Sequence, residues 1–182
     1  MHETSQMTVD EVKNLLGLAP HPYEGGCYIR TYESGEMLPS AAFPDCRYPG
    51  PRHTGTAIYY LLEPDTFSEM HRLKSDEIFH FYAGDPVEQL QLHANGSGTI
   101  VRIGNNLAVG ERPQVIAPRG VWQGSRLVPG GAWALLGCTV SPGFEFEDYE
   151  TGVCTDLCAG WPAFDELITK LTRIEPIRLA QS

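Results

Sequence analysis

The run from His71 to Asp85 concentrates side chains able to move protons or hold a metal, with His71, Asp76, Glu77 and His80 close together in one short stretch. An imidazole titrates near neutrality and an adjacent carboxylate can orient it, the minimum equipment for taking a proton from a carbon next to a carbonyl. His71 and Glu77 are therefore the candidate catalytic pair. A divalent transition metal asks for three or four imidazole, carboxylate or thiolate donors, so these two alone would bind one weakly. If the run is a strand, alternation places Glu77, Phe79 and Phe81 on one face and Ile78, His80 and Tyr82 on the other. Only a bulge would bring His80 into the same pocket. No metal ligand is assigned on this basis, and a divalent metal stays a secondary alternative. The same parity predicts that His80→Ala mainly costs stability, whereas His71→Ala is expected to abolish what the pocket does at nearly unchanged melting temperature.

The elements that must position these groups read as short strands. Thr56 to Leu62, Phe67 to His71, Glu77 to Ala83, Val87 to His93, Thr99 to Ile103, Gln114 to Ala117, Trp122 to Leu127 and Trp133 to Val140 are each bounded by glycine, proline, asparagine or aspartate. That rhythm predicts an all-β sandwich or barrel rather than a parallel α/β sheet. Thr8 to Glu11 is a capping box opening a short amphipathic helix that Gly17 stops, and residues 20 to 32 hold a first strand. Trp161 to Leu171 predicts a closing helix with Pro162 in its first turn. Residues 34 to 55 contain four prolines and three glycines with little periodicity and read as a long excursion, mobile or wrapped over a partner.

At 182 residues the chain fits one domain, placed at 8–175, with flexible termini at 1–7 and 176–182. The formal charge of -10 argues against a general nucleic-acid or membrane-surface role, since both need a clustered basic face. No apolar run is long enough to span a bilayer, and the polar, acidic start lacks the features of a secretory signal, so a cytoplasmic location is expected. Five cysteines at irregular positions give no disulfide framework, and Cys154 with Cys158 read as ordinary reduced thiols. Arg30, Arg72, Arg102, Arg119 and Arg126 are dispersed, yet two or three could meet at a rim and grip a phosphate.

His71, Leu73, Glu77 and Gly84, followed by Pro118, Gly120 and Gln123, resemble the two sequence motifs of the cupin superfamily. In those motifs two histidines stand where Leu73 and Gln123 stand here. Between about Leu16 and Gly152 the chain resembles more closely a family of small single-domain cupins known as a domain of unknown function. Its marks here are residues 16–26, 74–85, 110–115 and 137–144. The resemblance implies a cupin jelly roll with short N- and C-terminal helices and a homodimer formed through exchanged edge strands. It also implies a shape related to deoxysugar-nucleotide epimerases. In those enzymes an Arg-Gly-Leu segment precedes the base histidine, whereas Ser68, Glu69 and Met70 precede His71.

On that footing the pocket is an apolar barrel mouth with a few placed polar groups. Ile58, Tyr59 or Tyr60, Phe79, Phe81 and Trp122 are candidate walls, Gln123 can donate and accept, Lys74 can reach over the mouth, and Arg30 is a candidate anion contact. The expected ligand is a small polar molecule, with a nucleotide or nucleotide-sugar first on resemblance. An epimerase or isomerase using His71 and Glu77 is the second reading, and a metal-dependent oxygenase or isomerase the third.

Overall fold

The structure, a computed structural model, describes residues 7–173. Most of both expected flexible termini, residues 1–6 and 174–182, lies outside the described residues. Helix α1 (Val9–Leu16) is closed at its start by the reciprocal bonds of Thr8 and Glu11 and at its end by Gly17 at φ 67°. The strands follow as β1 (Ala19–Pro20), β2 (Cys27–Glu33), β3 (Met37–Leu38), β4 (Arg52–His53), β5 (Thr56–Leu62), β6 (Phe67–Arg72) and β7 (Asp76–Gly84). After them come β8 (Val87–Leu92), β9 (Gly98–Ile103), β10 (Gln114–Ala117), β11 (Trp122–Leu127), β12 (Ala134–Ser141) and β13 (Glu150–Thr151). Helices α2 (Cys154–Gly160) and α3 (Asp165–Lys170) close the described chain.

The strands form a six-stranded sheet in the order β1-β2-β5-β12-β7-β10 and a five-stranded sheet in the order β13-β6-β11-β8-β9. Their strand pairs are antiparallel, and the chain crosses repeatedly from one sheet to the other, from β5 to β6 to β7 to β8. This is a jelly roll. Between the sheets Tyr60, Leu62, Phe79, Val87, Ile103 and Leu136 fill one end with a dry core. The inward positions one register step on, Ile58, Cys138, Val140 and Glu77, face a cavity at the other end. Alternation thus stacks core and site along the same strands. Helix α1 covers the outside of the six-stranded sheet through Val12 on Leu61 and Cys27. Helices α2 and α3 cover the five-stranded sheet through Leu157, Ile168 and Leu171 on Met70, Leu90 and Leu92.

Two expectations change. The closing helix begins only at Asp165, because Pro162 starts a separate 3-10 turn (Pro162–Phe164), and α2 precedes it where no helix was expected. Segment 34–55 is packed against its own chain, with β3 paired to β4 and Tyr48 and Arg52 each only 2% exposed. Arg52 clamps Asp148 in a two-point contact, Nε to Oδ2 at 2.8 Å and Nη2 to Oδ1 at 2.8 Å. No helix among the described residues is long and apolar enough to cross a membrane.

Candidate functional site

The cavity has a volume of about 520 Å³ and is reached from the end of the barrel where β6 turns into β7. His71 on β6 and Glu77 on β7 come from different sheets and meet across that turn, Nε2 to Oε2 at 4.0 Å. His71 is 1% exposed, donates from Nδ1 to the Glu69 carbonyl at 2.6 Å, and lies flat against the Tyr149 ring at 4.7 Å between centroids. A carbonyl only accepts, so the Nδ1 proton is fixed and Nε2 is turned toward the carboxylates. Burial disfavours the imidazolium, yet the charges of Glu24 and Glu77 and the bond to Glu69 outweigh it and push the His71 pKa up to about 9. At neutral pH this ring is a buried cation.

Glu77 is anchored from behind by a line of amides. Gln91 Nε2 donates to Gln89 Oε1 at 2.7 Å, Gln89 Nε2 to Gln123 Oε1 at 3.4 Å, and Gln123 Nε2 to Glu77 Oε2 at 2.7 Å. Pairing of β11 with β6 sets Gln123 opposite His71, and pairing with β8 sets it opposite Gln91. Gln123 thus holds Glu77 rather than lining the cavity, a correction to its expected place as a ligand contact.

The metal alternative is tested by this geometry. At the four motif positions Leu73 has no donor atom, and Gln123 turns its N–H toward Glu77. The motif positions thus offer one imidazole and one carboxylate, too few donors for a transition ion.

Three cavity groups had no role in the sequence reading. His21 and Glu24 lie in the loop between β1 and β2, and Tyr149 directly precedes β13, which pairs Thr151 with His71. The loop dives into the barrel mouth because Gly25, at φ 99°, passes so close to Phe67 that a Cβ would sit 2.4 Å from its carbonyl oxygen. Glu24 then bonds Ser68 Oγ through Oε1, and its backbone carbonyl accepts from Glu69 N at 2.9 Å. His21 Nδ1 accepts from Glu24 N at 2.9 Å, leaving any neutral-ring proton on Nε2, 3.9 Å from Glu24 Oε2. Burial lowers the His21 pKa, so the two cavity imidazoles differ in charge. The Tyr149 hydroxyl is buried among the described residues with no hydrogen-bond partner, and burial raises its pKa strongly. The Gly25-Gly26 pair after Glu24 was the available signal for this loop, whereas nothing in the local sequence marks Tyr149.

Of the other expected site residues, Ile58 and Arg30 line the cavity. Phe79 and Phe81 sit in or against the dry core below it, with Tyr60, whose hydroxyl braces Gly25 O at 2.9 Å. Tyr59 is on the outer face of its strand against Tyr82, because parity sends Ile58 and Tyr60 inward. Trp122 packs on the α2–α3 side beneath Arg72. Lys74 pairs with Asp148 at 3.5 Å in a neighbouring cleft of about 630 Å³. His80 turns away from Glu77, with Thr139 Oγ1 at 3.3 Å and Gln114 Nε2 at 3.4 Å. His71 is buried and its pKa is raised by its neighbours, so its removal is expected to lower stability rather than leave it unchanged.

Residues 10–152 match the family model described as Cupin superfamily (DUF985). The chain belongs to this cupin family. The Shewanella oneidensis protein SO0799 has a crystal structure similar to this cupin at a TM-score of 0.81 and 34% identity, covering 93% of this chain and 100% of that one. A Leishmania major protein of known structure is similar at a TM-score of 0.81 and 29% identity, over 91% of this cupin and 99% of that chain. Saccharomyces cerevisiae YML079W is 30% identical over 101 residues, 54% of this chain and 50% of that protein. This cupin therefore spans about half the length of that curated relative.

Proposed function

We propose that this cupin binds a small hydroxyl-bearing ligand in the barrel cavity, with the sugar part of a nucleotide-sugar as first candidate. The observation that carries the reading is the partnerless Tyr149 hydroxyl, buried on the wall of a cavity that also holds Glu24 and Glu77. A buried donor without a partner costs roughly 1–3 kcal/mol, a cost that a ligand oxygen would relieve. Among the described residues neither Glu24 Oε2 nor Glu77 Oε1 accepts a hydrogen bond, so two carboxylate oxygens are available for ligand hydroxyls. Tyr28, Phe144 and Phe146 add aromatic walls. Placed polar groups on an apolar wall are the usual build of a small-molecule site.

Phosphates do not suit the cavity floor, where two carboxylates face one imidazolium. The neighbouring cleft shares Leu73 and Tyr149 with the cavity; of its cations Arg72 is paired with Glu150 and Lys74 with Asp148, which leaves Arg47 and Arg119 to meet a phosphate. A nucleotide-sugar straddling Tyr149 would put sugar and phosphate each against matching chemistry. The epimerase alternative ranks second: it asks His71 to take a proton from carbon, and at pH 7 the ring already holds one.

A thermal-shift screen of nucleotides, nucleotide-sugars, free sugars and organic acids tests the reading. A ligand at 100 times its Kd stabilises the fold by about 2.7 kcal/mol. Nucleotide-sugars should shift the transition more than the free nucleotide or free sugar. A screen in which no hydroxyl-bearing compound shifts it would overturn the proposal.

A further inference from the structure

The rim of the cavity carries a set of donor side chains that the ligand reading does not use. Glu33 ends β2, His53 ends β4, and Glu145 lies between β12 and β13. One donor atom from each falls within 4.8 Å of the other two. His53 Nδ1 is 2.6 Å from the Ser34 carbonyl, which can only accept, so the ring proton is on Nδ1 and the Nε2 lone pair is free. That lone pair faces Glu33 Oε1 at 3.5 Å. Glu33 Oε2 is held by Arg30, whose Nη2 in turn donates to the Phe144 carbonyl at 3.4 Å. An imidazole fixed by a backbone carbonyl and a carboxylate fixed by a second partner are how proteins orient metal ligands.

We propose that Glu33, His53 and Glu145 form a divalent transition-metal site at the cavity mouth, with zinc as the best-matched ion. Donors about 2.0–2.2 Å from a tetrahedral zinc lie roughly 3.3–3.6 Å apart, so His53 and Glu33 already stand at working spacing. Glu145 closes the set with a shift of roughly 1 Å, which its place in a loop allows. Two carboxylates offset most of the charge of the ion and of the Arg30 guanidinium beside it, and the imidazole favours zinc over magnesium or calcium, which take oxygen donors. Three protein ligands leave a position open, and of the three Glu145 also lines the cavity. This site is separate from the motif positions on the cavity floor.

The test is calorimetric titration of chelator-stripped protein with Zn²⁺, paired with the visible absorption of the Co²⁺ form. One equivalent should bind, and His53→Ala and Glu145→Gln should each weaken it at least about tenfold and remove the Co²⁺ band. His93→Ala, at a distant strand end, should bind as wild type does. Both ligand side chains are only partly buried, so folding of these variants, checked by circular dichroism, is expected to be intact. Absence of stoichiometric binding to the wild type would overturn the site. So would equal affinity in His53→Ala and Glu145→Gln, or loss of binding in His71→Ala with retention in His53→Ala.

Discussion

His71 is the residue whose environment departs furthest from that of a free imidazole, and its charge links site and stability. In the unfolded chain it binds its proton near pH 6.5 and in the folded protein near pH 9. The folded state thus holds the proton more tightly. Its contribution is complete below about pH 6.5 and is lost as the pH rises through about 9, on the order of 3 kcal/mol in all. Denaturant unfolding at pH 6.5 and 9.5 should show that loss in the wild type and its absence in His71→Gln. Identical pH profiles for the two proteins would refute the assignment of the proton to His71. The replaced histidine position tells a related story. Reading Gln123 from its type alone made it a ligand contact, but an amide can also carry a hydrogen-bonded line, and here it runs from Gln91 through Gln89 to Glu77. That line is built across β8 and β11, so it depends on a register that residue types cannot supply.

At the scale of elements, the loop carrying Tyr149 is held by the segment that looked like an unstructured excursion. Arg52 on β4 is 2% exposed and reaches Asp148, the residue before Tyr149, while Glu147 takes its Nη2 at 2.6 Å. Removing Arg52 leaves the buried Asp148 carboxylate with only the half-exposed Lys74 at 3.5 Å, so Arg52→Leu should destabilise the protein by about 2–4 kcal/mol in urea unfolding. It should also weaken ligand binding by releasing Tyr149. A loss below about 1 kcal/mol would show that the clamp is not structural. The strands themselves were legible, with β5, β10 and β11 starting and ending where turn residues and alternation put them. The parity separating Glu77 from His80 could also be read, because period-two alternation is a local property. Tyr149 and the Arg52–Asp148 clamp could not, since each joins residues far apart in sequence through packing, while the loop of Glu24 carried only the Gly25-Gly26 signal. Proline and glycine in 34–55 suggest an excursion, mobile or wrapped over a partner, yet they shape a segment fastened to its own chain by two buried side chains, Tyr48 and Arg52.

For the whole molecule, the outer face of the six-stranded sheet presents Tyr82 at 51% and Ile116 at 53% exposure, next to the edge strand β10. An apolar patch at an unpaired edge is a natural place for a second copy, and we propose the dimer on that basis. Sedimentation at micromolar concentration should give a species of twice 20.1 kDa, and Ile116→Lys should shift it toward monomer. A wild-type monomer would remove the proposal. The cavity beside His71 is proposed as a ligand site in which the buried Tyr149 hydroxyl, without a partner among the described residues, meets a ligand oxygen. Tyr149→Phe tests it most directly, because in the free protein the hydroxyl has no partner to lose. Calorimetric titration of the strongest screening hit into wild type and Tyr149→Phe, with urea unfolding of both, is the measurement. Tyr149→Phe should be at least as stable as the wild type, by up to about 3 kcal/mol, with affinity weakened roughly tenfold. Equal affinity in the two proteins would contradict it.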